Sequence, residues 1–157
     1  DSVFEFLNIK YVLTFDELNN PNYEKVLEEG MTKLYKNKNV LPRAFLVEQV
    51  VFADTSQKQA DIVQNSDLSK VAVASSKELV GDYSVGKVDI KKHHASEIEI
   101  QTMNQEDGFL VLSEVFYPSF RATIDGNDAQ IVPVNLAFKG IKVPAGTHKI
   151  IIKPNLF

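Results

Sequence analysis

Among the side chains that could do chemistry, the acid Glu114 stands out. It interrupts residues 109–116, an otherwise nearly unbroken apolar run, so we expect it at or near a protein core. Burial raises the pKa of a carboxyl, and a glutamic acid that stays protonated near pH 7 could act as a general acid. The alternative is that Glu114 lies at a sheet edge or pairs with Arg121 across the bend at Tyr117, because buried acids are usually paired.

Aromatic and basic residues offer a second kind of chemistry, the binding of a ligand. Tyr117, Phe120 and Phe138 could form a platform on which a sugar ring stacks, or they could simply fill the core, as aromatic side chains routinely do. Arg43 follows Leu41-Pro42 and could clamp an anion through its planar guanidinium. An ion pair that anchors the start of the next strand is the alternative.

The histidines and acids do not predict a metal site. His93 and His94 are adjacent, so on a strand they point to opposite faces and cannot easily share one ion. A solvated strand end is the expected setting. His148 alternates with isoleucines and is expected to be satisfied or half exposed. Residues 125–128 resemble the start of a calcium loop but lack its later ligands, which favours a plain turn. We expect neither a metal nor a cofactor.

The elements that must position these residues are mostly strands. Asp125-Gly126 tolerates the positive φ angles of a tight hairpin, and Gly30 marks a second hairpin turn. One surface helix is predicted over residues 54–64, with Asp54 as its cap and Gln57 at capping-box spacing. Short strands separated by turns predict an antiparallel β-sandwich with a small peripheral helix. The predicted strands cover residues 8–15, 31–36, 43–53, 71–74, 87–90, 97–103, 109–116, 120–124, 130–134, 137–143 and 147–153.

Length, charge and composition argue against several kinds of partner and binding site. A chain of 157 residues predicts a single domain, and a net charge of −4 argues against a nucleic-acid partner. Without cysteine there can be no disulfide and no thiolate zinc site. No apolar run approaches the roughly 18 residues that span a bilayer. Because the chain begins at Asp1 and stops just after a strand, we expect it to be part of a longer protein.

Several short motifs occur in a fixed order along the chain. They are Asn8-Ile9-Lys10-Tyr11-Val12, Leu41-Pro42-Arg43-Ala44-Phe45, residues 108–113, residues 116–120, Asp125-Gly126 and residues 143–148. Taken in this order, they resemble the C-terminal extracytoplasmic region of the YfhO-like family of bacterial multipass membrane proteins. In that family the central motif is tyrosine–proline–glycine–tryptophan followed by a basic residue. Here Ser119 and Phe120 replace the glycine and tryptophan, and Arg121 is the basic residue.

The resemblance implies a role without catalysis. The family is similar to membrane glycosyltransferases of the GT-C type, which use lipid-linked sugars and decorate cell-envelope polymers. Catalysis in such enzymes lies mainly in the membrane part. We therefore expect residues 1–157 to form an accessory domain on the extracytoplasmic face of the bacterial cell membrane. Its expected partner is the transmembrane part of its own parent chain, whose outward face it would shape or cap. The alternative role is to bind an envelope glycan, for which Tyr117, Phe120, Arg121 and Phe138 are the candidate residues.

Two other functions remain open on the sequence. One is a stand-alone carbohydrate-active enzyme on a sandwich fold, with Glu114 or another acid as catalyst, because glycoside hydrolysis needs only two carboxyl groups. The other is a cell-surface protein-interaction domain, which the sandwich alone suggests.

Overall fold

The computed structural model describes residues 7–155, which fall into two compact units with the boundary between Pro42 and Arg43. The predicted mostly-β class is confirmed, since the described residues form antiparallel and mixed sheets in a sandwich-like fold and contain one small α-helix. The expectation of a single domain over residues 1–157 stays a prediction. No helix in the described part of the chain is long and apolar enough to cross a membrane.

The N-terminal unit is a three-stranded antiparallel sheet. Its strands are β1 (Tyr11–Thr14), β2 (Tyr23–Glu29) and β3 (Thr32–Asn37), in the spatial order β1-β3-β2. Gly30 takes a positive φ of 58° in the turn between β2 and β3, which confirms the predicted hairpin. Tyr35 and Asn37 are buried, whereas several large apolar side chains of this unit are exposed, namely Tyr11, Leu13, Phe15, Leu27 and Met31.

The C-terminal unit contains two sheets. The seven-stranded sheet has the order β4-β10-β14-β13-β6-β5-β7, and the five-stranded sheet has the order β12-β11-β15-β9-β8. The strands are β4 (Ala44–Val47), β5 (Gln49–Phe52), β6 (Val71–Ala74), β7 (Gly81–Asp82), β8 (Gly86–His94), β9 (Glu97–Asn104), β10 (Gly108–Val115), β11 (Phe120–Ile124), β12 (Asn127–Ala129), β13 (Val132–Val134), β14 (Phe138–Val143) and β15 (Gly146–Pro154).

The core lies between these two sheets, with β10 at its centre. Leu110 and Leu112 of β10 belong to one buried cluster with isoleucines of the five-stranded sheet, such as Ile100 and Ile150. The alternate residues of β10 are also buried, and the Phe109 ring lies 5.4 Å from the Tyr83 ring. β10 is therefore covered on both faces, which agrees with the apolar run that predicts this strand. Side chains alternate along β9, with isoleucines facing inward and glutamates facing the outer surface.

Two predictions around the helix α1 (Ser56–Asn65) are wrong. Thr55, not Asp54, caps the helix, because its hydroxyl accepts a hydrogen bond from the Lys58 amide at 3.3 Å. The predicted strand 43–53 is two strands, because Glu48 separates β4 from β5 and each pairs with a different neighbour. β5, α1 and β6 form a parallel crossover that the sequence analysis does not predict.

The hairpin at Asp125-Gly126 is confirmed. Both residues have positive φ, 51° and 86°, and the turn joins β11 to β12 in antiparallel register. The return strand ends at Ala129, and the chain then crosses to the seven-stranded sheet, where β13 pairs with β14. The strand predicted over residues 130–134 is accordingly shorter and belongs to the other sheet.

Candidate functional site

A charged cluster around Glu114 lies where the ends of several strands meet. The Glu114 carboxylate is 2.6 Å from His93 Nε2, 3.2 Å from Lys139 Nζ and 3.7 Å from Arg43 Nη1. These partners come from β8, from β14 and from the residue before β4. The register of β10 against β14 shifts between Leu112 and Val115, and such a bulge re-aims the side chains within it. The bulge thus places one carboxylate among three nitrogen-bearing side chains.

Lys139 is the buried member of this cluster. Its side chain is 1% exposed, and its ammonium lies 4.0 Å from the centroid of the Phe120 ring. A buried ammonium needs a counter-ion, and here Glu114 supplies it while the aromatic face adds a cation–π contact. Sequence analysis does not single out Lys139. Yet Lys139 and Lys142 are three apart on one strand, so they face opposite sides and one of them must point inward.

The electrostatics of Glu114 are the reverse of those expected for a general acid. Burial works to raise the pKa of its carboxyl, but hydrogen bonds from His93 and Lys139 outweigh burial, and the pKa is lowered. This direction argues against the general-acid interpretation of Glu114. The alternative of a paired acid holds, but its cationic partners are Arg43 and Lys139 rather than Arg121. For Arg43, the ion pair at the strand start is the alternative that the structure supports.

The four residues expected to bind a glycan do not lie on one surface. Tyr117 is 57% exposed, but Phe138 is only 5% exposed. Phe120 packs on the core cluster and covers Lys139. Arg121 follows Phe120 on β11 and therefore points to the opposite face of the sheet. A shared aromatic platform would need Phe138 to be accessible, so Tyr117 and Arg121 are the members that a ligand could reach.

Arg121 lies on the outer face of the five-stranded sheet. It is paired in register with Lys153 of β15, and the two residues line a shallow groove with Thr123, Ile151, Pro154 and Asn155. The Arg121 side chain is exposed, so its guanidinium faces solvent at the groove. Nothing in the sequence pattern alone shows that Lys153 lies beside Arg121, because the pairing joins residues from separate strands.

His93 and His94 lie at the end of a strand, as the sequence analysis predicts. His93 and His94 close β8 and are both exposed, as expected, although His93 also contacts Glu114. Within residues 7–155 no group of three or more histidine, cysteine or acidic side chains is arranged to hold a metal ion.

A second histidine joins two turns. His148 Nδ1 lies 2.6 Å from Asp125 Oδ2, and its Nε2 lies 3.1 Å from the carbonyl oxygen of Ala145. Both partners are acceptors, so only the doubly protonated imidazolium can donate to both at once. The Asp125 carboxylate, followed by the Ala145 carbonyl, raises the pKa of His148. The expected satisfied histidine is confirmed, and its role here is to fasten the Asp125 hairpin to the turn before β15.

No protein-family model, no curated protein and no solved structure matches this chain. The resemblance to the YfhO-like family stays a prediction.

Proposed function

We propose that this chain is a non-catalytic extracytoplasmic accessory domain of a membrane glycosyltransferase-like protein, and that it binds the glycan acceptor of a cell-envelope polymer. The observation that carries the non-catalytic role is the state of Glu114. A general acid must hold its proton near neutral pH, whereas hydrogen bonds from His93 and Lys139 favour the ionised carboxylate. The carboxylate instead neutralises a buried lysine, which is a structural task.

The motifs that carry the family resemblance also have structural tasks. Asn8 donates a hydrogen bond through Nδ2 to the Leu41 carbonyl oxygen at 2.5 Å, which links the first two motifs. Asp125 and His148 link the last two. These side chains hold turns and strand ends together. An accessory domain needs such a stable fold but needs no catalytic group. This supports a domain that presents a surface rather than a reaction centre.

The first test is binding. The purified chain would be titrated with envelope polysaccharides and surveyed on a glycan array, and saturable binding to at least one acceptor glycan is expected. If no glycan binds, the glycan-binding part of the proposal is wrong.

The second test addresses catalysis in the parent protein. The double variant Glu114→Gln/Lys139→Met removes the acid and the buried charge together, so the fold is expected to persist. Sugar transfer by the parent protein should be unchanged. Loss of transfer, with normal folding and membrane insertion of the variant, would show that Glu114 is catalytic and would overturn the proposal.

A further inference from the structure

The groove beside Arg121 combines charge, hydrogen-bonding groups and an apolar floor. Its volume is about 310 Å³. In the antiparallel pair of β11 and β15, Arg121 lies opposite Lys153 and Thr123 lies opposite Ile151. Directly opposite side chains share one face of a sheet, with their Cβ atoms roughly 5 Å apart. The two cations are therefore neighbours at the groove, with Pro154 and Asn155 closing one end.

The two cations differ in how they are paired. Lys153 Nζ lies 2.6 Å from Glu97, which also binds Lys92, and these two lysines lower the pKa of Glu97 to about 2. The Arg121 side chain forms no ion pair or hydrogen bond with the described residues 7–155. Its five N–H donors are thus open to a ligand.

The surrounding face does not supply the missing counter-ion. Three lysines, Lys92, Lys149 and Lys153, form ion pairs with only two acids, Glu97 and Glu99. Asp128 lies opposite Thr123 on the same face but forms no ion pair with Arg121. Glu97 is engaged by two lysines, and Glu99 is engaged by Lys149 at 3.0 Å. Like charges placed directly opposite on a sheet destabilise it, so the pair of Arg121 and Lys153 costs free energy that a bound anion would offset.

We propose that this groove binds an anionic group, a phosphate or a carboxylate, carried by the acceptor glycan. The Arg121 guanidinium can bind such a group through two parallel hydrogen bonds, and Lys153 adds a point charge beside it. Thr123 and Asn155 can supply a hydroxyl and an amide, while Ile151 gives the apolar floor on which a sugar ring can rest. That the groove binds an anionic group is inferred from the groove alone. That a glycan carries this group rests on the proposed function.

The test is a set of calorimetric titrations of the purified chain with inorganic phosphate, glucose 1-phosphate, glucuronate and neutral glucose. The three anions should bind saturably and compete for one site, with affinity falling as salt rises, whereas glucose should not compete. The ratio of phosphate to glucuronate affinity identifies which anionic group the site prefers. Absence of saturable binding by phosphate, glucose 1-phosphate and glucuronate would overturn the inference.

Two matched variants locate the site. Arg121→Gln should weaken anion binding by about tenfold or more, since it removes charge-assisted hydrogen bonds. Lys149→Gln removes the same charge from the same face outside the groove and should change affinity by less than about threefold, the effect of long-range charge alone. Arg121→Gln should also melt at the same or a higher temperature, because it removes a like-charge pair. Equal losses in both variants would overturn the assignment.

The same variants separate this inference from the proposed function. If the wild-type chain binds an anionic envelope glycan and Arg121→Gln binds it equally well, the anion site is wrong and the accessory function stands. If the wild-type chain binds phosphate through Arg121 but binds no glycan, the anion site stands and the glycan-binding function is wrong.

Discussion

Replacing Glu114 by glutamine should destabilise the sandwich far more than a surface substitution does. The substitution keeps the shape of the side chain but removes the negative charge that faces Lys139 at 3.2 Å. The lysine side chain is 1% exposed, so it cannot turn to water to recover its solvation. The ammonium would be left with the Phe120 ring as its main partner.

The expected loss is about 2–3 kcal/mol in the free energy of unfolding at pH 7. Breaking a fully buried ion pair by removing one partner costs about 3–5 kcal/mol. The loss here should be smaller, because the Glu114 side chain is 21% exposed and the glutamine oxygen can still accept a hydrogen bond. Lys139→Met should cost less than about 1 kcal/mol, since a well-packed apolar side chain can replace a buried charge and Glu114 keeps His93 and Arg43.

Urea denaturation followed by circular dichroism measures these losses, and a double-mutant cycle isolates the pair. In the Lys139→Met background, Glu114→Gln should cost less than about 1 kcal/mol, because no buried charge is left behind. The reasoning is refuted if Glu114→Gln alone costs under about 0.5 kcal/mol at pH 7. It is equally refuted if the double variant is no more stable than the single Glu114→Gln variant.

The pH dependence provides an independent check. Because the folded-state pKa of Glu114 is lowered below 4.5, its stabilisation is present above the unfolded-state pKa and is lost as the pH falls through the folded value. The stability difference between wild type and Glu114→Gln should be present at pH 7 and shrink as the pH falls below about 4.5. A difference that grows as the pH falls below about 4.5 would contradict the sign.

Three further predictions concern other parts of the sandwich. His148→Gln should destabilise the protein most below pH 6.5 and progressively less as the pH rises through the raised folded pKa of His148, as measured by urea unfolding at several pH values; a difference that grows with pH would be inconsistent. Gly140→Ala should cost about 1–3 kcal/mol, because its Cβ would lie 2.7 Å from the buried Phe109 ring, and an unchanged melting temperature would exclude that crowding. Thr55→Ala should cost about 1 kcal/mol, with Asp54→Ala, which removes an exposed ion pair, as the control expected to cost less.

The sequence predicts the strands whose patterning is local. The alternation in β9 and the Asp125-Gly126 turn determine those elements within a few residues, because each follows from side-chain periodicity or backbone φ. The division between β4 and β5 does not follow from any such pattern. The amides of both Glu48 and Gln49 donate to the Lys70 carbonyl, about twenty residues away, so long-range pairing ends one strand and starts the next. The parallel pairing of β5 with β6 is likewise determined by tertiary contacts rather than by local sequence.

The partners of Glu114 in the candidate site also depend on long-range pairing, so the sequence alone does not predict them. Glu114 is conspicuous because it interrupts an apolar run, but its partners lie 21 and 25 residues away for His93 and Lys139. Whether they come close to Glu114 depends on which strands become neighbours and on the bulge in β10, which no local sequence motif predicts. The same reason explains why Arg121, adjacent in sequence to Phe120, lies on a different surface from it.

Glu114 and Arg121 differ in how their charges are balanced by neighbouring side chains. At Glu114 two cations and a histidine surround a single carboxylate, so the buried ammonium of Lys139 has a counter-ion. At Arg121 a cation is placed opposite another cation and has no acid of its own within residues 7–155. Folding alone would favour an acid or a neutral residue at Arg121, since the like-charge pair is unfavourable. The anion that we propose for the groove would offset this cost, so the pair of Arg121 and Lys153 is the feature that the titrations test.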